Sequence, residues 1–170
     1  MSWIDQAGTE SVIVRHSAAI GIPFGLPDIQ GIAMQVGVSA APAHLLFANT
    51  GLGPASRYLL AASTRLDGHA YSTLLPYRSP TGPLLLGLEP RSPTRLDLMW
   101  ARGSGSWQTF GVLALDEPYE GPPISFDPVL LTLPDLEPYA WVSALRAPSY
   151  RVARRHRGDR CHVNHCQKSI

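Results

Sequence analysis

A mainly β (α+β) domain is the fold class this sequence predicts, an antiparallel barrel or open sheet with one helix packed on it near the C-terminus. Three observations lead there. Apolar and β-branched residues recur with period two in several separate stretches. Fifteen glycines and sixteen prolines in 170 residues punctuate those stretches, above average usage but short of low-complexity composition. A helix start signal followed by a long run comes only near the end, after Asp135, and strands in succession followed by a helix favour an antiparallel sheet.

The elements follow in order. Ser11 to Ser17 (SVIVRHS) is a β-branched run, and Gln30 to Val38 alternates, with Ile32, Met34, Val36 and Val38 on one face. Its other face carries Gly31, Ala33, Gln35 and Gly37, either a thin face under a loop or one that a flat ligand could approach closely. Gly21 to Asp28, with two glycines and two prolines, is the loop between these strands. His44 to Thr50 reads as a third strand, and Gly51 to Pro54 turns it into a short helix around Ala55 to Ser63. Pro76 to Pro83 is loop; Pro83 to Glu89 and Thr94 to Ala101 are strands. Trp107 to Leu115 pairs with the latter across Arg102 to Ser106, a hairpin loop. The prolines and acids of Asp116 to Pro123 argue against a central strand there. Asp135 is placed to cap a helix running to about Tyr150, with Pro138 tolerable in its first turn.

Composition sets limits on function. Residues 1–152 read as a single domain and 153–170 as a basic, disordered tail, because residues 151–170 hold six of the fourteen Lys and Arg residues against one acid, Asp159. Both cysteines, Cys161 and Cys166, lie in that tail, so no disulfide framework organises the core and a reducing, cytoplasmic compartment is expected. No apolar run reaches the ~18 residues of a membrane span. The run CHVNHC (161–166) offers zinc-type ligands at a spacing that closes a tetrahedron poorly, and the tail's arginines lack interleaved aromatics, so specific nucleic-acid binding is not expected. Charged residues are only 16% of the chain, which leaves apolar surface for a partner chain or a homo-oligomer, most simply through an exposed sheet edge. Gly51-x-Gly53 lacks the third glycine of a dinucleotide fingerprint, and no nucleophile elbow, zinc-protease helix or phosphate loop is present. Arg146 and Tyr150, four apart on the expected helix, place a guanidinium beside a phenol and favour its ionised form.

Four short segments resemble the haem catalases, in the family's order. Val14-Arg15-His16-Ser17 is similar to the V-R-F-S strand, and Asp28-Ile29-Gln30-Gly31-Ile32-Ala33-Met34 to the D-V-R-G-F-A-L strand after it. Leu45-Leu46-Phe47-Ala48-Asn49-Thr50 resembles the L-V-G-N-N-T strand of the distal pocket, and Arg146-Ala147-Pro148-Ser149-Tyr150 the R-L-F-S-Y segment whose tyrosine binds iron. Leu26-Pro27-Asp28, with Gly31 and Ala33, and Leu75-Pro76-Tyr77-Arg78 look like the short bacterial proteins of this catalase-like superfamily. The resemblance implies a catalase-like barrel that binds haem, with Tyr150 as the metal ligand, Arg146 its partner and Arg15 holding a propionate.

It also implies weak chemistry. Thirteen residues precede Val14 and none is histidine, so the family's distal histidine has no counterpart and the start looks truncated relative to the family. The distal asparagine position falls on Ala48, beside Asn49. His16 and Asn49 are left as the candidate catalytic pair, with a strand histidine satisfied by a neighbouring carbonyl as the alternative for His16. The expected activity is a weak peroxidase; the other reading is a non-enzymatic β-barrel module that binds a small apolar ligand or a partner chain.

Overall fold

The computed structural model describes residues 2–18, 26–37, 42–65, 67–142, 144 and 163–169, with the backbone alone for residues 2 and 163–169. A single helical turn, α1 (Ser2–Asp5), leads into β1 (Thr9–Ala18), β2 (Gln30–Val36) and β3 (Ala43–Thr50), a meander in which Arg15 pairs with Ala33 and Ala33 with Leu46. After a 3-10 turn at Ser56–Tyr58 come β4 (Ala70–Ser72), β5 (Tyr77–Ser79), β6 (Gly82–Ser92), β7 (Arg95–Ala101) and β8 (Gln108–Pro118). A two-residue β9 (Glu137–Pro138) and β10 (Val163–Ser169) complete the described strands.

All these pairings are antiparallel, and they run round on themselves. The order β4-β3-β2-β1-β10-β8-β7-β6 is joined end to end by a short β4–β6 seam at Tyr71↔Leu88 and Ser72↔Gly87. The result is a curled sheet with very little helix. Period-two alternation fills its interior: Val12 and Val14, Ile32, Met34 and Val36, Leu45 and Phe47, and Leu84, Leu86 and Leu88 belong to one buried cluster. Each such side chain contributes roughly 1.5–3 kcal/mol through burial. Trp3 of α1 packs edge-on against Phe110 at 5.3 Å and donates to Glu10 Oε2 at 3.2 Å, covering part of this core.

Two loops are fastened together by Arg57. Its side chain is only 2% exposed and sits over the Trp107 ring at 4.7 Å. It donates to the carbonyls of Gly53, Leu52, Gly103 and Gly105, while Trp107 Nε1 donates to Leu52 O. Backbone oxygens thus stand in for the carboxylate a buried guanidinium usually needs.

Several sequence expectations require correction. The helix expected around Ala55 to Ser63 stops after one 3-10 turn, because Leu59 is already extended (φ −116°, ψ 131°) and Leu60 and Ser63 form bridges to Thr50 and Asp28. Asp135 does not cap a helix: its backbone is left-handed (φ 64°), and Glu137 and Pro138 pair with Arg78 and Tyr77. Residues 140–142 are helical, whereas 145–150 lie outside the described residues. The expected loop Pro76 to Pro83 contains β5 and the start of β6, and β8 runs through Asp116 to Pro118 despite the proline. The tail was expected to stand apart, yet residues 163–169 form β10, paired with β1 from Thr9↔Ser169 to Arg15↔Val163 and with β8 on its other side. Main-chain hydrogen bonds admit a strand of any polarity, which is why charge and periodicity did not reveal it. An exposed sheet edge was expected, at no particular strand; the edges of β1 and β8 are taken up by this strand.

Candidate functional site

Strand alternation sorts the residues singled out in β1–β3 onto two faces. Val12, Val14 and therefore His16 point into the core, where His16 pairs with Ile32. Ile13, Arg15 and Ser17 point outward. In β3, Asn49 follows Leu45 and Phe47 onto the inner face and pairs with Tyr71, whereas His44, Leu46 and Ala48 face outward. The candidate catalytic pair thus shares the interior, and Arg15 lies on the opposite face.

The inner polar group is small and buried. Asn49 is fully buried; its Oδ1 accepts from Gln30 N at 2.7 Å, and its amide lies beside the Tyr71 hydroxyl. His16 Nε2 is unpartnered among the described residues, so the expectation of a histidine satisfied by a carbonyl does not hold at that nitrogen. Burial pushes the His16 pKa down, which keeps the ring neutral. Burial also pushes the Tyr71 hydroxyl up to about 12, with the Asn49 amide opposing and the Asp67 charge adding to the rise. These are neutral groups in an apolar interior.

The outer face is organised differently. Ser17, Gly31 and Ala48 form one cross-strand row, and Arg15, Ala33 and Leu46 the next. A Cβ at Gly31 would lie 3.1 Å from Ser17 Oγ, so this row is already closely packed at backbone level. Arg15 supplies its positive charge, with a buried Nε that has no hydrogen-bond partner among the described residues and a guanidinium carbon 4.7 Å above the Phe126 ring.

One row further, Ile13, Gln35 and His44 meet residues 126–131. His44, 3% exposed, accepts from the Asp127 backbone N–H at Nδ1 (2.7 Å) and reaches Gln35 Oε1 with Nε2 (3.1 Å), so Nε2 carries the proton. His44 N donates to Leu131 O at 2.8 Å, Asp127 Oδ1 accepts from the N–H groups of Val129 and Leu130, and the Phe126 ring leans on the imidazole at 5.2 Å. Residues 126–131 are a strap bound to β3 and lying against Arg15.

No family model, curated protein or solved structure matches this chain.

Tyr150 and Arg146 lie outside the described residues. Among the described residues no group of three or more His, Cys, Asp or Glu side chains could hold a metal ion, and no helix is long and apolar enough to cross a membrane. A surface groove of about 370 Å³ lined by Arg78, Ser79, Pro80, Asp135 and Glu137 has its main charges, Arg78 and Glu137, already paired. Sequence reasoning found Arg15 and the Gly31/Ala33 face but missed His44 and the strap. Two signals were available: a lone histidine at the head of an otherwise apolar strand, and an Asp127-Pro128 turn in a segment with no strand pattern.

Proposed function

We propose that this chain is a catalase-like, haem-associated protein that works by binding rather than by rapid turnover, with the outer face of β1–β3 as the ligand face. The observation that carries the reading is that Arg15, Ser17, Gly31, Ala33 and Ala48 share one face of the sheet in adjacent cross-strand rows, a cation beside mostly small side chains with Leu46 next to them and Ala33 itself buried. A planar, apolar molecule bearing carboxylates fits such a face: the ring buries apolar area against small residues, and Arg15 offers a charge-assisted hydrogen bond to a carboxylate. Haem, if bound, would supply redox chemistry at its iron, and the resemblance implies that Tyr150, with Arg146, would hold it.

The residues of the ligand face do not fit fast peroxide chemistry. Positioned proton transfer typically contributes 10²–10⁴-fold, and the two candidates for it, His16 and Asn49, point into the barrel, away from Arg15. Arg15 and the small row can bind and orient a planar ligand that bears a carboxylate.

Hemin titration of the purified full chain tests this. A Soret shift on binding is expected, with Arg15→Ala weakening affinity by about tenfold or more, the loss of roughly 1.4 kcal/mol or more from a charge-assisted contact. Tyr150→Phe should abolish the shift, and His16→Ala should leave both affinity and weak turnover unchanged. A protein that gives no Soret shift, or that dismutates peroxide rapidly and loses this with His16→Ala, overturns the proposal. The second reading, a non-enzymatic module for a partner chain, draws on Leu59 (63% exposed) and Leu60 (54% exposed), adjacent apolar side chains beside β3. Absence of hemin binding together with self-association abolished by Leu59→Ser and Leu60→Ser would favour it.

A further inference from the structure

We propose that residues 126–131 are an acid-released cover over Arg15, with His44 as the latch; this rests on the binding reading above and adds its regulation. The latch is made of hydrogen-bond directions. The Asp127 backbone N–H donates to His44 Nδ1 at 2.7 Å, which requires a lone pair there, and Nε2 donates to Gln35 Oε1 at 3.1 Å. A proton added at Nδ1 removes the acceptor and turns that nitrogen into a second donor facing an N–H group. The strap's anchor is then lost at the residue next to Phe126, the ring that covers Arg15 at 4.7 Å and leans on His44 at 5.2 Å.

The charges around His44 work on the same equilibrium. Arg15 on β1 and Asp127 on the strap are the charged groups acting on it among the described residues, and Gln35 on β2 is its uncharged partner. Burial is the main influence holding His44 neutral; Arg15 adds to it and Asp127 opposes it. Once protonated, His44 and Arg15 are two cations sharing the Phe126 ring, and withdrawal of the strap lets water screen them and opens Arg15 to a carboxylate. Geometry, charge and cover thus change together on one proton, at a residue type that titrates near physiological acidity.

Amide hydrogen exchange on the full chain, at about pH 7.5 and about pH 5 and corrected for the intrinsic rate, reads the latch directly. The expected result is that the Asp127 and Leu131 amides lose protection by at least about tenfold at the lower pH while the Leu45 amide in β3 keeps its own. His44→Asn retains an acceptor oxygen near the Nδ1 position but cannot gain a proton, so its strap should stay protected at both pH values. Unchanged protection in the wild-type chain overturns the proposal, and that comparison needs no variant to fold. Hemin affinity over the same range separates this proposal from the one beneath it. Binding that strengthens on acidification is expected. Exchange that rises with no hemin bound at any pH sinks the binding reading alone, and hemin bound with unchanged exchange sinks the latch alone.

Discussion

Arg57 shows how much one side chain can fasten when its partners are backbone oxygens. It reaches carbonyls of two loops far apart in sequence, at Gly53 and Leu52 on one side and Gly103 and Gly105 on the other, with Trp107 beneath. Arg57→Met would remove the buried donor from four carbonyls, two of them on exposed Gly103 and Gly105 where water can take its place, and we expect a loss of about 1–3 kcal/mol in denaturant unfolding. Arg57→Lys should recover only part of this, because an ammonium cannot present the guanidinium's fork. The two buried histidines act on stability with a definite sign. His16 and His44 both have folded pKa values below their unfolded value near 6.5, mainly through burial. The unfolded chain therefore takes up protons first as pH falls, so stability is fully present above about pH 6.5 and is lost as pH drops through the lowered folded values. Melting temperatures measured between about pH 7.5 and about pH 5 should fall, and His44→Asn should flatten the dependence.

At the scale of the element, the long strands were legible because burial on one face imposes alternation. Val12 and Val14, Ile32 to Val36, and Leu96 and Leu98 announce β1, β2 and β7 in this way. The short strands β4, β5 and β9 were not, since two or three residues carry no period and their places are fixed by register with longer neighbours. The expected helix after Asp135 failed early for a local reason, a left-handed aspartate and a pairing proline. For the candidate site, alternation made the Gly31/Ala33 face readable, but the sequence cannot say that a distant strap will choose His44 as its acceptor. Gly87 gives a check at this scale. Its missing Cβ would lie 2.9 Å from Trp107 Cζ3 and 3.3 Å from Tyr71 O, so Gly87→Ala must push the indole off its seat beneath Arg57 and strain the β4–β6 seam. Unfolding midpoints should drop by about 1–3 kcal/mol equivalent. Gly31→Ala, whose Cβ meets the Ser17 hydroxyl at 3.1 Å and backbone oxygens no nearer than 3.6 Å, should fold with a smaller penalty yet obstruct the outer face, weakening hemin binding.

For the molecule as a whole, closure depends on β10. It pairs with β1 along seven positions and with β8 on its other side, so without it both long strands would present unpaired N–H and C=O groups. Deleting residues 163–170 should therefore lower the melting temperature and, because open edges template pairing between molecules, cause self-association visible by light scattering at micromolar concentration. A truncated chain that stays monomeric with an unchanged melting temperature would show that the rest of the sheet supports itself.

The Thr9↔Ser169 pairing also sets a timetable. β1 leaves the ribosome long before its partner, and at about 5–20 residues per second the wait is roughly ten to thirty seconds. During that interval the β1–β2–β3 meander can form from neighbouring contacts, but the cylinder cannot close, and the same high sequence separation slows refolding in vitro. The nascent chain therefore passes through a stage with its first strand bare on one side, when a chaperone would have its longest opportunity to engage it.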